Sequence, residues 1–334
     1  MSYKSPFEPA LLQRGAVLGA LGDVSVALHF GDAGRESAAL REDAGLVDLS
    51  WRGVIEMTGR DRVRFLHGMC TNDIKKLQPG QGCMAAVVNR QGKMVAEMIV
   101  YAAENALLLE MDRSNLQPTI DHLSRFLVAD DVKLRISDAA VVGIWGRRAP
   151  LLLGLKETAD FHFQMRESGV VARNRTIGPE GVHLLLPPAK SEEVARILAH
   201  GVVPAGFSAY ESLRIEFGFP RWGADMDATL LPMEAALEPI AVSYTKGCYI
   251  GQEVIQRVKT YSEPPKMLVQ LEGADAAIGD KIHAGTEEVG AVTSAIPTLA
   301  LGIVRKEFKS PGAELTVAGK PARVRALPWQ SRLV

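Results

Sequence analysis

The sequence predicts an α+β protein that ends in a small β-barrel. Three observations predict it. Over residues 52–137 the pattern runs strand, helix, three strands, helix, strand, as in a compact α+β unit. A second mixture of strands and helices follows over residues 138–245. From Pro264 onward, short strands recur at even spacing, separated by Gly, Pro and Asp, as in a small barrel.

The elements follow in order. A helical stretch at 36–44 ends at Gly45, and an extended run covers 54–58. Asp61 is placed to cap a helix with Val63, Leu66 and Met69 on its apolar side. Strands are expected at 84–89 and 93–101, joined by Arg90-Gln91-Gly92. The second alternates Met94, Ala96, Met98 and Val100, the spacing of a half-buried strand. A third strand at 105–111 leads to a helix opened by Ser114, then a strand at 132–136. Beyond it, strands are expected at 141–145, 170–175 and 181–187. Ser191 is placed to cap a helix over 192–200, with Gly201 at its stop position. Ser208-Ala-Tyr-Glu211 reads as a capping box for a helix through Phe217. Barrel strands are expected at 266–272, 281–284, 289–293, 299–307, 314–317 and 322–327.

Composition narrows the function. The 334 residues carry 38 Lys and Arg against 39 Asp and Glu, a formal net charge of −1. So balanced a chain has no global drive toward nucleic acid or an anionic membrane. No run of about 18 uncharged apolar residues is present, so no membrane span is expected. The first residues lack an apolar h-region, so no signal peptide is expected either. Cys70, Cys83 and Cys248 are odd in number and scattered, which fits neither a disulfide framework nor a metal knuckle. A reducing cytoplasm and no resident metal are the expectation. Motifs of NTPases, zincins and α/β-hydrolases are absent.

Two segments are dense in chemistry. Lys246-Gly-Cys248-Tyr249-Ile-Gly251-Gln252-Glu253 sets a cysteine between glycines, just before a helix expected from Gln252. A thiol there, with Lys246 nearby, is activated by charge and helix dipole. The alternative is a small buried hydrophobe in a tight loop. Upstream, Leu213-Arg214-Ile-Glu216 precedes Trp222-Gly223-Ala-Asp225. Arg214 and Glu216 interrupt an apolar helix and need partners, as in a structural ion pair. Trp222 either offers a ring face to a flat heterocycle or packs in a core.

These segments resemble the glycine-cleavage T-protein superfamily of folate-binding proteins. Phe65-Leu-His-Gly68 with Thr71-Asn-Asp73 is similar to its FLQG..TND segment. Asn89-Arg-Gln-Gly92 is similar to its NxxG turn, and Pro232-Met-Glu-Ala235 to its PxEA. Leu213 through Asp225 resembles its LRLEAG…YGxD segment. KGCYIGQE at 246–253 resembles the signature of one branch, the YgfZ-type proteins of iron–sulfur cluster maintenance. The resemblance covers residues from about 35 to 305. It implies a three-domain ring: two α+β, ferredoxin-like domains and a C-terminal barrel around a central folate channel. The implied domains are 1–51 with 138–245, an inserted 52–137, a signature loop and linker helix at 246–263, and a barrel at 264–334. It also implies tetrahydrofolate or a folate derivative as cofactor. Asn89, Trp51, His183, Tyr210, Arg214, Trp222, Tyr249 and Gln252 are the implied binding residues, with Cys248 and Lys246 as the reactive pair.

The sequence departs from true T-proteins at three places. Their NxxGGxxDD acid pair, which assists methylene transfer, falls here on Ala96-Glu97. Their TGEDGxE segment, whose last glutamate holds the pterin, reads Ile177 to His183. A carboxylate accepts two hydrogen bonds from a pterin edge, and a neutral imidazole accepts one. A folate-contacting arginine four residues before Arg214 is replaced by Tyr210. The leading expectation is therefore a folate-binding accessory protein for iron–sulfur enzymes, partnered by assembly or client proteins and serving tRNA-modifying enzymes among them. With its neutral charge, any link to tRNA runs through a partner. The alternatives are a tetrahydrofolate-dependent aminomethyltransferase or demethylase, and a folate-independent scaffold.

Overall fold

The computed structural model describes residues 3–273 and 275–332. Among them, a two-stranded hairpin, a six-stranded sheet, a five-stranded sheet and a closed six-stranded barrel carry the fold. The chain divides into two compact units. The first takes residues up to His67, then 73–84 and 98–213; the second takes 68–72, 85–97 and residues from 214 onward.

The six-stranded sheet belongs to the first unit. Its order is Phe163–Arg166, Gly169–Arg173, Gly181–Leu186, Ala140–Trp145, Gly45–Asp48 and Val203–Pro204. Alternation along the central strands decides what each face carries. Val142, Ile144, Val182, Leu184 and Leu186 join one apolar core with Phe7, Leu11, Val194 and Leu198. Phe7 immediately precedes and Leu11 lies in the helix Glu8–Leu12, and Val194 and Leu198 lie in the helix Glu192–Ala199. Gly143, Trp145 and His183 occupy the alternate positions, on the opposite face. His183 pairs in register with Gly143 on one side and Ala172 on the other. These two small neighbours leave space for an imidazole and for the Trp145 indole, which lies where a side chain on Gly143 would be.

The five-stranded sheet runs Gln81–Val88, Met94–Ala102, Ala106–Asp112, Arg52–Thr58 and Lys133–Ile136. The division between the units falls within its first two strands. In the second unit, the barrel closes because Lys266–Glu272 pairs with both Leu299–Arg305 and Lys320–Arg325. Its core includes Val269, Leu271, Ile282, Val292, Val304, Leu315 and Val324. The sequence-predicted barrel strands agree with the observed ones, three of them to the residue.

Some local expectations need correction. Ser208 caps nothing: the helix Phe207–Phe217 has already begun, and Tyr210 N donates to Gly206 O. Ser191 likewise makes no capping bond, because the 3₁₀ turn Pro188–Lys190 feeds straight into the helix with helical dihedrals. The N-terminal hairpin of Val17–Leu21 and Val24–His29, turning at Gly22, was not predicted. Its first strand is half exposed and carries little apolar alternation.

Candidate functional site

The signature loop is in the second unit, and Cys248 is exposed on it. The buried-hydrophobe alternative is thereby excluded. Behind the thiol the loop is tightly held. Lys246 is buried, and its Nζ donates to Cys70 O at 2.6 Å and to Asn72 O at 2.9 Å. The same ammonium sits 4.7 Å from the centre of the Tyr249 ring. Tyr249 is buried, and burial, followed by nearby Cys70, pushes its hydroxyl above the ordinary tyrosine range. Lys246 was expected to act on the thiol or on an anionic ligand. Its charge is instead committed to backbone carbonyls and a ring face, so it positions the loop.

Gln252 and Asn89 serve the same framework. Gln252 Oε1 accepts from Tyr249 N at 3.3 Å, at the start of the helix Gln252–Tyr261. Asn89 Oδ1 accepts from Gln91 N at 2.9 Å and Lys93 N at 3.1 Å, which shapes the hairpin turn. The oxygen expected to face a cofactor is used for that turn. Gly251 has φ +82°, and a Cβ there would lie 2.4 Å from Asn89 O. Only glycine fits both the dihedral and the close approach. Gly251→Ala is expected to cost about 1–3 kcal/mol from strain and displacement of that turn. Denaturant melts of the two proteins check it.

Arg214 is corrected more sharply. It is fully buried, and its guanidinium donates to Asp225 Oδ2 at 2.7 Å and Ser294 Oγ at 2.7 Å. Asp225 also accepts from Thr293 Oγ1 at 2.6 Å and Ser294 Oγ at 2.8 Å. The two ends of the Leu213–Asp225 motif therefore close on each other as an ion pair, and Arg214 has no surface left for a cofactor. Trp222 is half-buried in the turn beside Gly223 and bridges to Met226.

The first unit gathers the remaining predicted residues. Trp51 packs edge-on to Tyr210 at 5.2 Å and to Phe207 at 5.1 Å between ring centres. Trp145 joins Tyr210 and His183, each at 5.6 Å. His183 is buried, with Nδ1 at 3.0 and 3.1 Å from the two carboxylate oxygens of Glu110. Asn174 Nδ2 is 3.4 Å from the same nitrogen. Glu110 also accepts from Arg52 Nε at 2.5 Å and Tyr101 OH at 2.8 Å. Burial alone would raise its pKa, but His183, Arg52 and Tyr101 outweigh it and hold the carboxyl at about 2. Trp51, Tyr210 and His183 are thus brought together, with Trp145, Phe207 and Glu110 added. Sequence reasoning missed Glu110. Its signal was present: one carboxylate inside the apolar run Leu107–Met111.

Beside Trp51 lies a second carboxyl of interest. Asp48 is fully buried, and burial lifts it from 3.8 to about 6 despite hydrogen bonds from Ser5 and Ser50. A raised folded-state value favours the native state most below about pH 4, and that advantage is lost as pH rises through 6. The loss amounts to about 3 kcal/mol at alkaline pH. Asp48→Asn is expected to stabilise the protein at pH 8 and not at pH 4, read from thermal melts at both.

Among the described residues, no three His, Cys, Asp or Glu side chains converge as a metal set. Nor is any described helix long and apolar enough to cross a membrane.

Comparison with known proteins places this architecture. The model of the GCVT N-terminal domain matches residues 7–246, and that of the CAF17 C-terminal β-barrel domain matches residues 266–332. An aminomethyltransferase of Geobacillus kaustophilus (strain HTA426) is 30% identical, over 98% of this chain and 97% of its own. One from Anoxybacillus flavithermus (strain DSM 21510 / WK1) is 29% identical, over 99% and 100%. The crystal structure of glycine cleavage system aminomethyltransferase T from Bartonella henselae shares the fold, with a TM-score of 0.91 over 98% of each chain at 22% identity. A T-protein-like fold, matched along nearly the whole chain and finished by a closed barrel, leaves one conclusion: the chain belongs to the glycine-cleavage T-protein (GCVT) family, in a form carrying a CAF17-type C-terminal barrel.

Proposed function

We propose that this protein is a folate-binding accessory factor for iron–sulfur enzymes, acting through Cys248. The observation that carries the reading is the exposed thiol on a loop fixed from behind by Lys246, Tyr249 and Gln252. Such a loop presents one reactive sulfur outward on a rigid base. One thiolate does not hold a cluster, since clusters take four ligands, so the remaining ligands come from a partner protein. The resemblance of KGCYIGQE to the YgfZ-type signature points the same way.

The T-protein reaction is disfavoured by what replaces its acids. Ala96 and Glu97 stand at the family's acid pair, and both are buried in the strand Met94–Ala102. Moving a methylene group from an amine to a folate nitrogen needs a placed charge or proton acceptor. Folate itself fits the residues present. Trp51, Tyr210 and His183 are residues the resemblance assigns to the ring, with Trp145 packed among them, and because these side chains are buried against one another, a bound ring has to displace part of that packing. The second reading, an aminomethyltransferase, is favoured by the names of the relatives.

The test has two arms. Calorimetry is expected to show tetrahydrofolate binding in the micromolar range. No methylene transfer from aminomethyl-lipoyl protein is expected; measurable turnover would put the second reading first. The iron–sulfur role is checked by whether the chain restores iron–sulfur enzyme activity in cells lacking their own YgfZ-type protein.

A further inference from the structure

A small cavity of about 200 Å³ opens in the first unit, and it shares no lining residue with the Trp51, Tyr210 and His183 cluster. Four charged side chains line it. Arg14 follows the helix Glu8–Leu12, while Asp32, Arg35 and Glu36 open the helix Ala33–Glu42. Among the described residues, no ion pair reaches any of the four; Asp32 Oδ1 accepts from the backbone N–H of Arg35 at 2.9 Å. Glu36 is buried, 2% exposed, and its two carboxylate oxygens accept from neutral amides, Phe30 N at 2.8 Å and Gly206 N at 2.9 Å. Those amides and the helix N-terminus offset part of the burial of a carboxylate. No cation completes it, and a buried carboxylate is best matched by one.

The two arginines are exposed and form the mouth of the cavity, and the buried Glu36 lies deeper. Phe30, Val203 and Pro204 give it half-buried apolar walls. Opposite charges at two depths, with apolar surface between them, select a small molecule that carries both charges. The cavity holds several times the ~30 Å³ share of one water and falls below the roughly 300–1,000 Å³ of drug-sized pockets. We propose that it binds a free apolar α-amino acid, with the ammonium on Glu36 and Asp32, the carboxylate on Arg14 and Arg35, and the side chain against Phe30, Val203 and Pro204. The planar fork of a guanidinium matches a carboxylate, and an ammonium donates to the lone pairs that the two amides leave on Glu36. This site goes beyond the folate reading and does not rest on it.

The test is an NMR titration of the ¹⁵N-labelled full chain near neutral pH, following the amide signals of Phe30 and Gly206, the two donors to Glu36. The probes are L-valine, valinamide, which lacks the carboxylate, and 3-methylbutanoate, which lacks the ammonium. L-Valine is expected to shift both signals with a Kd of about 1 mM or tighter, and each analogue to bind about tenfold more weakly, the loss of one charged contact. Arg14→Ala combined with Arg35→Ala is expected to weaken L-valine about tenfold and to leave valinamide within about twofold of its parent affinity. Both side chains are exposed, so the double variant keeps the fold. No shift of either signal up to about 20 mM L-valine overturns the proposal. Valinamide binding as tightly as L-valine makes the cavity a plain cation site, and 3-methylbutanoate doing so makes it a plain anion site; either result overturns the proposal. So does a double variant that binds L-valine as the parent does. Tetrahydrofolate binding has no bearing on these outcomes.

Discussion

Arg214→Met is expected to lower stability by about 3–5 kcal/mol, among the largest effects any single substitution will have here. The cause is what remains. Asp225 would keep its buried carboxylate with hydroxyls from Thr293 and Ser294 and the backbone N–H of Arg221, but without the Arg214 guanidinium that pairs with it. Removing one partner of a buried pair strands the other, which costs more than the pair itself contributes. The double variant Arg214→Met, Asp225→Leu is expected to recover part of the loss, because the stranded charge goes as well. Urea unfolding of the single and double variants decides it. A single variant as stable as the parent would mean the ion pair is not what ties Leu213–Asp225 together.

Cys248→Ala is expected to do the opposite: no change in melting temperature and complete loss of rescue in cells lacking their YgfZ-type protein. The side chain is exposed, so removing its sulfur opens no cavity. The loop's geometry depends on Lys246, Tyr249 and Gly251, none of which touches the thiol in the contacts described. A Cys248→Ser variant that also fails would separate sulfur chemistry from side-chain size. Full rescue by Cys248→Ala would remove the thiol from the function and leave the loop as scaffold.

Much of the fold was legible because its periodicities are clean. The alternation of Met94, Ala96, Met98 and Val100 marked a strand, but Met94–Ala102 is buried on both faces rather than half-buried, and the barrel strands are bounded by glycines with positive φ, such as Gly273 and Gly319. The helix starts were less legible. A serine before a helix reads as a cap, but Ser191 and Ser208 already have helical surroundings set by the preceding turn. The site was legible by kind and misread by role. Lys246, Asn89 and Arg214 are polar residues in dense motifs, and such residues serve structure as readily as ligands. For Arg214 and Lys246 the purpose depends on partners 11 and 176 positions away, at Asp225 and Cys70, while Asn89 is taken up by the turn it opens. Glu110 shows in the sequence only as a lone carboxylate in an apolar run; its partner, His183, lies 73 positions along the chain, so nothing local assigns it to a site.

The division of the two units within the strands Gln81–Val88 and Met94–Ala102 bears on how the protein is made. A ribosome delivers residues 68–72 and 85–97 long before residues 214 and beyond emerge. The segments that hold Lys246 and receive Gly251 must wait, unpaired with their final neighbours, for most of synthesis. Neither unit can be released as a single uninterrupted fragment. The exposed thiol therefore acquires its base only when residues 246–252 meet segments made much earlier, so a product truncated before them carries no assembled Cys248 loop.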